Sequence, residues 1–460
     1  MKRALERIRW SAVTAWHGRR ERTLPWWPTA RLDALRDRRL RAMIRHAYNT
    51  VPHYRDTMRE RGLTPKDIGT AADLGKLPIV EGRELAAEPE RFLSSVYAGR
   101  DTLMLTTTGT TGDFKSIHHD ANAICVALAG GLRFRAVTER LIGRDPARTE
   151  LSIAPPGGTS MLVHDYHRTH LLAALANRVA IDFVSIDQPV ETLIAEINSR
   201  APGVILSFGR LLGYVFRQAK ERGLPIHRPQ LVRYGGDPMF ESDRRLIEEH
   251  YGIPVLSSYQ SCEFLRIAHE CERRDGFHVY SDHVVVRAVD ADGRDVTSGE
   301  PGEAIVTNLV NRATVLLNYR LGDRIALGAA PCQCGRTTPL IVALDGRSDD
   351  FLVRRNGEPV HESIVLRRLY ETPQLVKAEV VQHALDRVVA RIVIADEAEP
   401  FAVAGAIGAA LAQLLDHPDS RTIAVSVVAD LPPGPGGKFR ALTSHCSPVP
   451  PRGTPRVKPA

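Results

Sequence analysis

The sequence holds no apolar run long enough to cross a membrane. The longest candidate, FAVAGAIGAALAQLL from Phe401, has fifteen residues. A spanning helix needs roughly 20, so this run reads as a buried helix. A secretory signal is missing as well. The amino-terminal stretch MKRALERIRWSAVTAWHGRRERTLPWWP breaks its apolar residues with Arg7 and Arg9. The expectation is a cytoplasmic protein without a transmembrane segment. In that compartment the six cysteines stay reduced, which excludes a disulfide framework. Charge of one sign is in modest excess, +7 overall, and part of it sits at the two ends, from Lys2 to Arg22 and from Arg452 to Lys458. That balance suits anionic ligands. No nucleic-acid motif accompanies it, so nucleic acid is not an expected partner. The phosphate-binding loop of GxxxxGK[ST] form is also absent, because Phe114 stands where it needs glycine.

What is present is a large globular chain. Its 460 residues suffice for two to three domains, and its 43% hydrophobic and 25% charged contents are ordinary. The densest chemistry lies in LTTTGTTGDFK, Leu105 to Lys115. Threonine hydroxyls and backbone N–H groups can wrap an anion, and Gly109 and Gly112 let the backbone approach it closely. Lys115 adds a cation. The bland alternative is a polar surface turn.

Four further segments follow in order: Tyr259-Gln260-Ser261-Cys262-Glu263, Tyr319-Arg320-Leu321-Gly322-Asp323, Gly346-Arg347-Ser348-Asp349-Asp350 and Gly436-Gly437-Lys438-Phe439-Arg440. With the threonine loop they resemble, collinearly, the [ST]-[ST]-G-[ST]-T-G-x-P-K, YGxTE, YRTGD, GRxDD and GKxxR motifs of the adenylate-forming superfamily, which includes the acyl-CoA synthetases. Phe114 replaces the usual proline and Gln260 the usual glycine. The entry segment from His46 to Val80, the run CERRDGFHVYSDH and the later PCQCGRTTP are similar to the phenylacetate–CoA ligase family. The resemblance covers roughly residues 35 to 442.

That resemblance implies an ATP-dependent acid–CoA ligase that adenylates an aromatic or arylacetic acid. ATP, Mg2+ and CoA are the implied cofactors, and a homodimer is common in the family. Thr107, Thr108, Gly109, Thr110, Thr111, Gly112 and Lys115 would hold phosphates. Gly235, Gly236 and Asp237, in RYGGDP, would line the base, with Tyr259 stacking near the adenine. Asp323 and Arg347 would reach the ribose, where a carboxylate matches the two donors of a vicinal diol. Glu263 would bind magnesium. Lys438, in a Gly- and Pro-rich loop, would stabilise charge developing on the α-phosphate, and Asp349 falls on the hinge. Two other readings stay open. The acyl group could pass to an amine or to a carrier-protein thiol, or the chain could bind nucleotide without catalysis. Retention of Lys438, Glu263 and Asp323 together argues against the last.

Cys271-x6-His278 and Cys332-x-Cys334 supply three thiolates and an imidazole, a closed set suited to structural zinc. Four reduced residues without metal are the alternative. His164, His167 and His170 are spaced to share one helical face. They lack a well-placed carboxylate and read as pocket lining or helix-end residues rather than metal ligands.

The expected fold is α/β: a large N-terminal domain of mixed sheets and helices with a small mobile C-terminal α+β lid. Strand-like LSIAPP, GVILSF, PVLSSY and HVVVRAV alternate with helical stretches up to Asp345. Beyond it come a hairpin in DDFLVRRNGEPV, a helix in SIVLRRLYE, strands in KAEVVQHA, RVVARIVIA and TIAVSVVA, and a helix from Val403 to Leu415. The expected boundaries are an extension at 1–34, the large domain at 35–345, the lid at 346–443 and a disordered Pro-rich tail at 444–460. The extension reads as a helix packed on the main domain or as an amphipathic helix touching a membrane or partner.

Overall fold

The computed structural model describes residues 2–108, 114–172, 180–347, 351–372, 374–395, 397–419, 422–432 and 439–447. The chain divides into two compact units, Met1–Leu344 and Asp345–Ala460.

The first unit is built on a mixed sheet of eleven strands among the described residues. One half is parallel, in the spatial order Ala180–Ser185, Thr149–Ala154, Val204–Ser207, Leu231–Gly235, Val255–Tyr259. Val204, Ile205, Leu231, Val232, Val255 and Leu256 are fully buried. Such near-continuous apolar strands are what a parallel sheet covered on both faces requires. The helices Val190–Arg200 and Gly209–Glu221 bring Leu193, Ile194, Ile197, Leu212, Val215 and Phe216 to one core. The other half continues through Ala268–Glu270, Phe277–Val279, Leu340–Arg347, Tyr319–Leu327, Pro301–Asn308 and Val284–Val289.

The helix Thr29–Thr50 packs Leu40, Met43, Ile44 and Ala47 into a second core beneath this half. The 3–4–7 spacing puts these side chains on one helical face. Tyr54, from the entry segment, locks the arrangement. Its hydroxyl donates to the Val315 carbonyl at 3.2 Å and accepts from Leu317 N at 2.7 Å.

The amino-terminal helix Lys2–Glu21 belongs to the first unit and packs along Ala121–Ile142. It still turns Leu5, Ile8 and Trp16 to solvent.

The second unit carries the hairpin Phe351–Val353 with Pro359–His361, the helix Glu362–Leu369 and a four-stranded sheet in the order Ala424–Val427, Arg387–Ile394, Leu375–Ala384, Leu442–Ser444. The helix Pro400–Leu414 corrects one expectation: it is not buried all round. Val403, Ile407, Ala410 and Leu411 face the core, while Phe401 is 91% exposed. The run is rich in alanine and glycine, and one apolar stripe suffices to seat it. The tail beyond residue 447 lies outside the described residues.

Candidate active site

The strands Leu103–Thr108 and Phe114–His119 form an antiparallel ribbon with Thr107 opposite Lys115. Gly109, Thr110, Thr111 and Gly112, at the tip, lie outside the described residues. Thr108 closes the first strand. Thr107 Oγ1 is buried with no hydrogen-bond partner among the described residues.

Lys115 reaches inward. Its Nζ donates to the Tyr319 hydroxyl at 3.0 Å and lies 3.9 Å from Glu263 Oε1. The Tyr319 hydroxyl is itself 3.4 Å from that carboxylate oxygen. The threonine loop, YQSCEF and YRLGD are thus drawn together around one buried carboxylate. Gly82 leaves the space that Lys115 fills, since a Cβ there would sit 2.8 Å from Nζ.

A second pair lies at the carboxyl end of the parallel strands. Tyr259, the last residue of Val255–Tyr259, donates its hydroxyl to Asp323 Oδ2 at 2.5 Å. Beside it, Gly235 closes Leu231–Gly235 and Gly236 takes φ +84°. A Cβ on Gly235 would meet the Ser258 carbonyl oxygen at 2.7 Å, so the close strand packing demands glycine. Asp237 Oδ1 accepts from Gly209 N at 2.5 Å and Arg210 N at 3.4 Å, which satisfies the start of Gly209–Glu221. Gln260, in place of the motif's glycine, turns its amide onto Ser258 Oγ at 2.8 Å. The crevice outside the carboxyl ends of parallel strands is where open α/β sheets bind ligands. Arg347 ends the strand Leu340–Arg347. Asp349 and Lys438 lie outside the described residues.

The Cys/His set converges. The ligand atoms of Cys271, His278, Cys332 and Cys334 all lie within 4.8 Å of one another. Cys271 and Cys332 Sγ are 3.7 Å apart, and Cys334 Sγ is 3.3 Å from His278 Nε2. A tetrahedral zinc with Zn–S near 2.3 Å places its sulfurs about 3.8 Å apart, so the spacing fits that ion. Backbone N–H groups of Arg273, Cys334 and Arg336 each point at a sulfur from 3.4 Å. His278 Nδ1 is 3.1 Å from Thr338 Oγ1, an outer contact that orients Nε2 toward the sulfurs.

The three helical histidines do not converge on a metal. His164 tilts against Phe183, and His170 stacks on Tyr166 with ring centroids 4.0 Å apart. None belongs to a metal-competent group among the described residues. Burial lowers the His164 and His167 pKa values below the ordinary imidazole range.

Two features escaped sequence reasoning. One is a buried ion network. Arg133 Nε is 2.5 Å from Glu21 Oε2, its NH2 is 2.8 Å from Asp282 Oδ1, and Arg39 NH1 is 3.2 Å from Asp282 Oδ2. Burial acts to raise the Asp282 pKa, but the Arg133 and Arg39 guanidiniums outweigh it and hold it well below the carboxylate range. The available signal was Arg133 itself, a charge that follows the apolar and small-residue run Ala123–Leu132 of the helix Ala121–Ile142. The other is His119, at the end of the ribbon Leu103–Thr108 with Phe114–His119. Its Nε2 lies 2.8 Å from the Cys262 carbonyl oxygen, and burial holds its pKa down at about 4.

No family model matches the chain. A phenylacetate–coenzyme A ligase from Thermus thermophilus is 27% identical over 355 residues, covering 76% of this chain and 77% of that protein. One from Pseudomonas putida is 27% identical over 342 residues, covering 71% and 74%. Among solved structures, 2-hydroxyisobutyryl-CoA ligase in its postadenylation state superposes with a TM-score of 0.75 at 18% identity, covering 92% of this chain and 91% of that one. A benzoate CoA ligase from Burkholderia xenovorans gives 0.51 at 16% identity, covering 73% and 67%. The structural likeness shows the shared α/β fold. The collinear motifs and the curated relatives place the chain in the adenylate-forming CoA ligase superfamily, as an AMP-forming acid–CoA ligase by class. Within that superfamily the curated relatives are phenylacetate–CoA ligases, at a distance.

Proposed function

We propose that this enzyme activates an aromatic or arylacetic acid and transfers the acyl group to CoA. The acid's carboxylate oxygen attacks the α-phosphorus of ATP and pyrophosphate leaves. The CoA sulfur then displaces AMP from the mixed anhydride. The observation that carries the reading is the meeting of Lys115, Tyr319 and Glu263 beside the Tyr259–Asp323 pair. One cluster offers a cation and a carboxylate next to a phosphate loop. The other offers an aromatic ring and a carboxylate to a nucleoside.

In this reading Glu263 holds magnesium, which when bound neutralises charge on the leaving pyrophosphate. Thr107 to Gly112 and Lys115 bind phosphates, Gly235 to Asp237 and Tyr259 bind the base, and Asp323 and Arg347 bind the ribose. Lys438 stabilises the α-phosphate charge, and the C-terminal segment acts as a lid turning about Asp349. Cys271, His278, Cys332 and Cys334 bind a structural zinc that braces the neighbouring strand bearing Asp323.

An end-point mass assay tests this. The protein is incubated with ATP, magnesium and a panel of aryl and arylacetic acids, with and without CoA, beside Lys438→Ala. A thioester that needs Lys438 is expected. Release of AMP and pyrophosphate without a thioester would move the acceptor to an amine or carrier protein. No turnover with any acid would defeat the ligase reading.

A further inference from the structure

His119 presents an unmet hydrogen-bond acceptor beside the proposed acyl-activating site. Its ring is 1% exposed. A carbonyl oxygen can only accept, so the contact to the Cys262 carbonyl at 2.8 Å puts the ring proton on Nε2. In the neutral ring Nδ1 is then a bare lone pair. That atom is buried, and no donor among the described residues reaches it. A buried acceptor left unpaired is costly, so such groups have partners in working proteins.

His119 lines a cavity shared with Ala123, Val126, Ala127 and Glu263 and with the polar side chains His283, Asn308 and Asn311. Its volume is about 20 Å³, enough for one group the size of a water molecule. The alanines and Val126 come from the helix Ala121–Ile142, whose first turn is capped by Asp120 accepting from Ala123 N at 3.0 Å. They provide an apolar wall on the cavity. Glu263 belongs both to this cavity and to the Lys115–Tyr319 cluster. The space therefore adjoins the place where a substrate carboxylate would meet the nucleotide.

We infer that the acid carries a hydrogen-bond donor, a hydroxyl or amino group, that it presents to His119 Nδ1. This rests on the ligase reading above and narrows its substrate class. An unsubstituted hydrocarbon ring would offer Nδ1 no donor. A site built to bond a substrate O–H or N–H discriminates strongly against the analogue that lacks it. The competing occupant is a trapped water, which would satisfy Nδ1 without selecting any substrate.

Matched pairs of aryl and arylacetic acids, each with and without a ring hydroxyl or amino group, separate the two. The full-length enzyme is assayed with ATP, magnesium and CoA, and kcat/KM for AMP release is measured for both members of each pair. The donor-bearing acid is expected to win by at least about tenfold in one or more pairs. His119→Leu, which removes the acceptor, should bring that ratio close to one. His119→Gln, which keeps an acceptor oxygen, should retain part of it. Equal turnover of both members in every pair by the wild-type enzyme, or a ratio unmoved in His119→Leu, overturns the inference and leaves the ligase reading standing. No AMP release from any acid defeats the ligase reading and this inference with it.

Discussion

The Tyr259 hydroxyl donates to Asp323 Oδ2 at 2.5 Å, tying the last residue of a parallel strand to the middle of an antiparallel one. A short bond from a neutral donor to a carboxylate is among the stronger protein hydrogen bonds. It orients the carboxylate before a ligand arrives, so less would be lost in ordering it for the diol of the proposed ribose contact.

Asp323→Ala should therefore weaken nucleotide use. Loss of hydrogen bonds to a charged group is worth about 1.5–3 kcal/mol, so kcat/KM for ATP should fall roughly 10- to 150-fold. Tyr259→Phe, which keeps the ring and frees the carboxylate, should fall less. Pyrophosphate-release kinetics across an ATP series measure both. An unchanged KM for ATP in Asp323→Ala would remove that residue from the ribose site.

Tyr319 makes a sharper case, because its ring is fully buried and its hydroxyl bridges Lys115 and Glu263. Tyr319→Phe should leave thermal stability within about 1.5 kcal/mol of wild type, the usual worth of one hydrogen bond. Adenylation should slow about tenfold as Lys115 and Glu263 lose their common partner. A single-turnover assay beside a melting curve separates the two effects. A melting loss with an unchanged rate would make Tyr319 structural only.

Much of this was legible in the chain. The apolar strands Val204–Ser207 and Val255–Tyr259 announced themselves, because a parallel sheet buried on both faces leaves little choice of residue. Tyr259, Glu263 and Asp323 could be read from motif order. Cys271 and His278 could be paired with Cys332 and Cys334 through ligand chemistry, helped by the family resemblance. Tyr319 was quoted within its motif but given no role, since its function is to connect side chains distant in sequence. His119 was invisible for another reason. A histidine's tautomer is set by a neighbour, here the Cys262 carbonyl, that only folding supplies. Phe401 misled because hydropathy records composition and not which face meets the core.

The buried histidines set an acid limb of stability. Burial lowers His119 to about 4, and lowers His283 to about 3 with Arg133, Arg39 and Arg266 adding to it against Asp282. Both rings stay neutral in the fold, whereas the unfolded chain protonates near pH 6.5. Their contribution is complete above that pH and is lost as pH falls from 6.5 toward the folded values. Each group can remove up to about 1.4 kcal/mol per pH unit in that window. Melting temperatures from pH 7.5 to 5 should fall less steeply in His119→Gln than in wild type. Parallel curves would show that His119 takes up its proton without unfolding.

Arg133 should be the most sensitive structural charge. Removing one partner of a buried ion pair typically costs about 3–5 kcal/mol, because the other charge is left stranded. Arg133→Met strands Glu21 and leaves Asp282 with Arg39 alone, and a drop of that size is expected in chemical denaturation. Adding Glu21→Gln should recover part of it, since one stranded carboxylate is neutralised. The same logic makes the helix Lys2–Glu21 a structural element, for Glu21 is its last residue. A chain lacking residues 2–21 should be markedly less stable. If the double substitution recovers nothing, the two groups do not act as a unit.

The Cys/His cluster yields the prediction that needs no substrate. Sulfur spacing, three amide donors and an oriented imidazole all suit a tetrahedral ion, and apolar Leu340 packs beside the thiols. Protein purified without chelator should carry one zinc per chain by elemental analysis, lost in Cys332→Ala. Metal binding stabilises the folded form in proportion to its free energy. Strong chelation should therefore lower the melting temperature in the wild type and leave the variant unmoved. The strand Leu340–Arg347 pairs with His278 on one side and neighbours the strand of Asp323 on the other. Loss of zinc should thus raise KM for ATP more than it lowers kcat. A metal-free protein with wild-type melting would assign the four residues to packing alone.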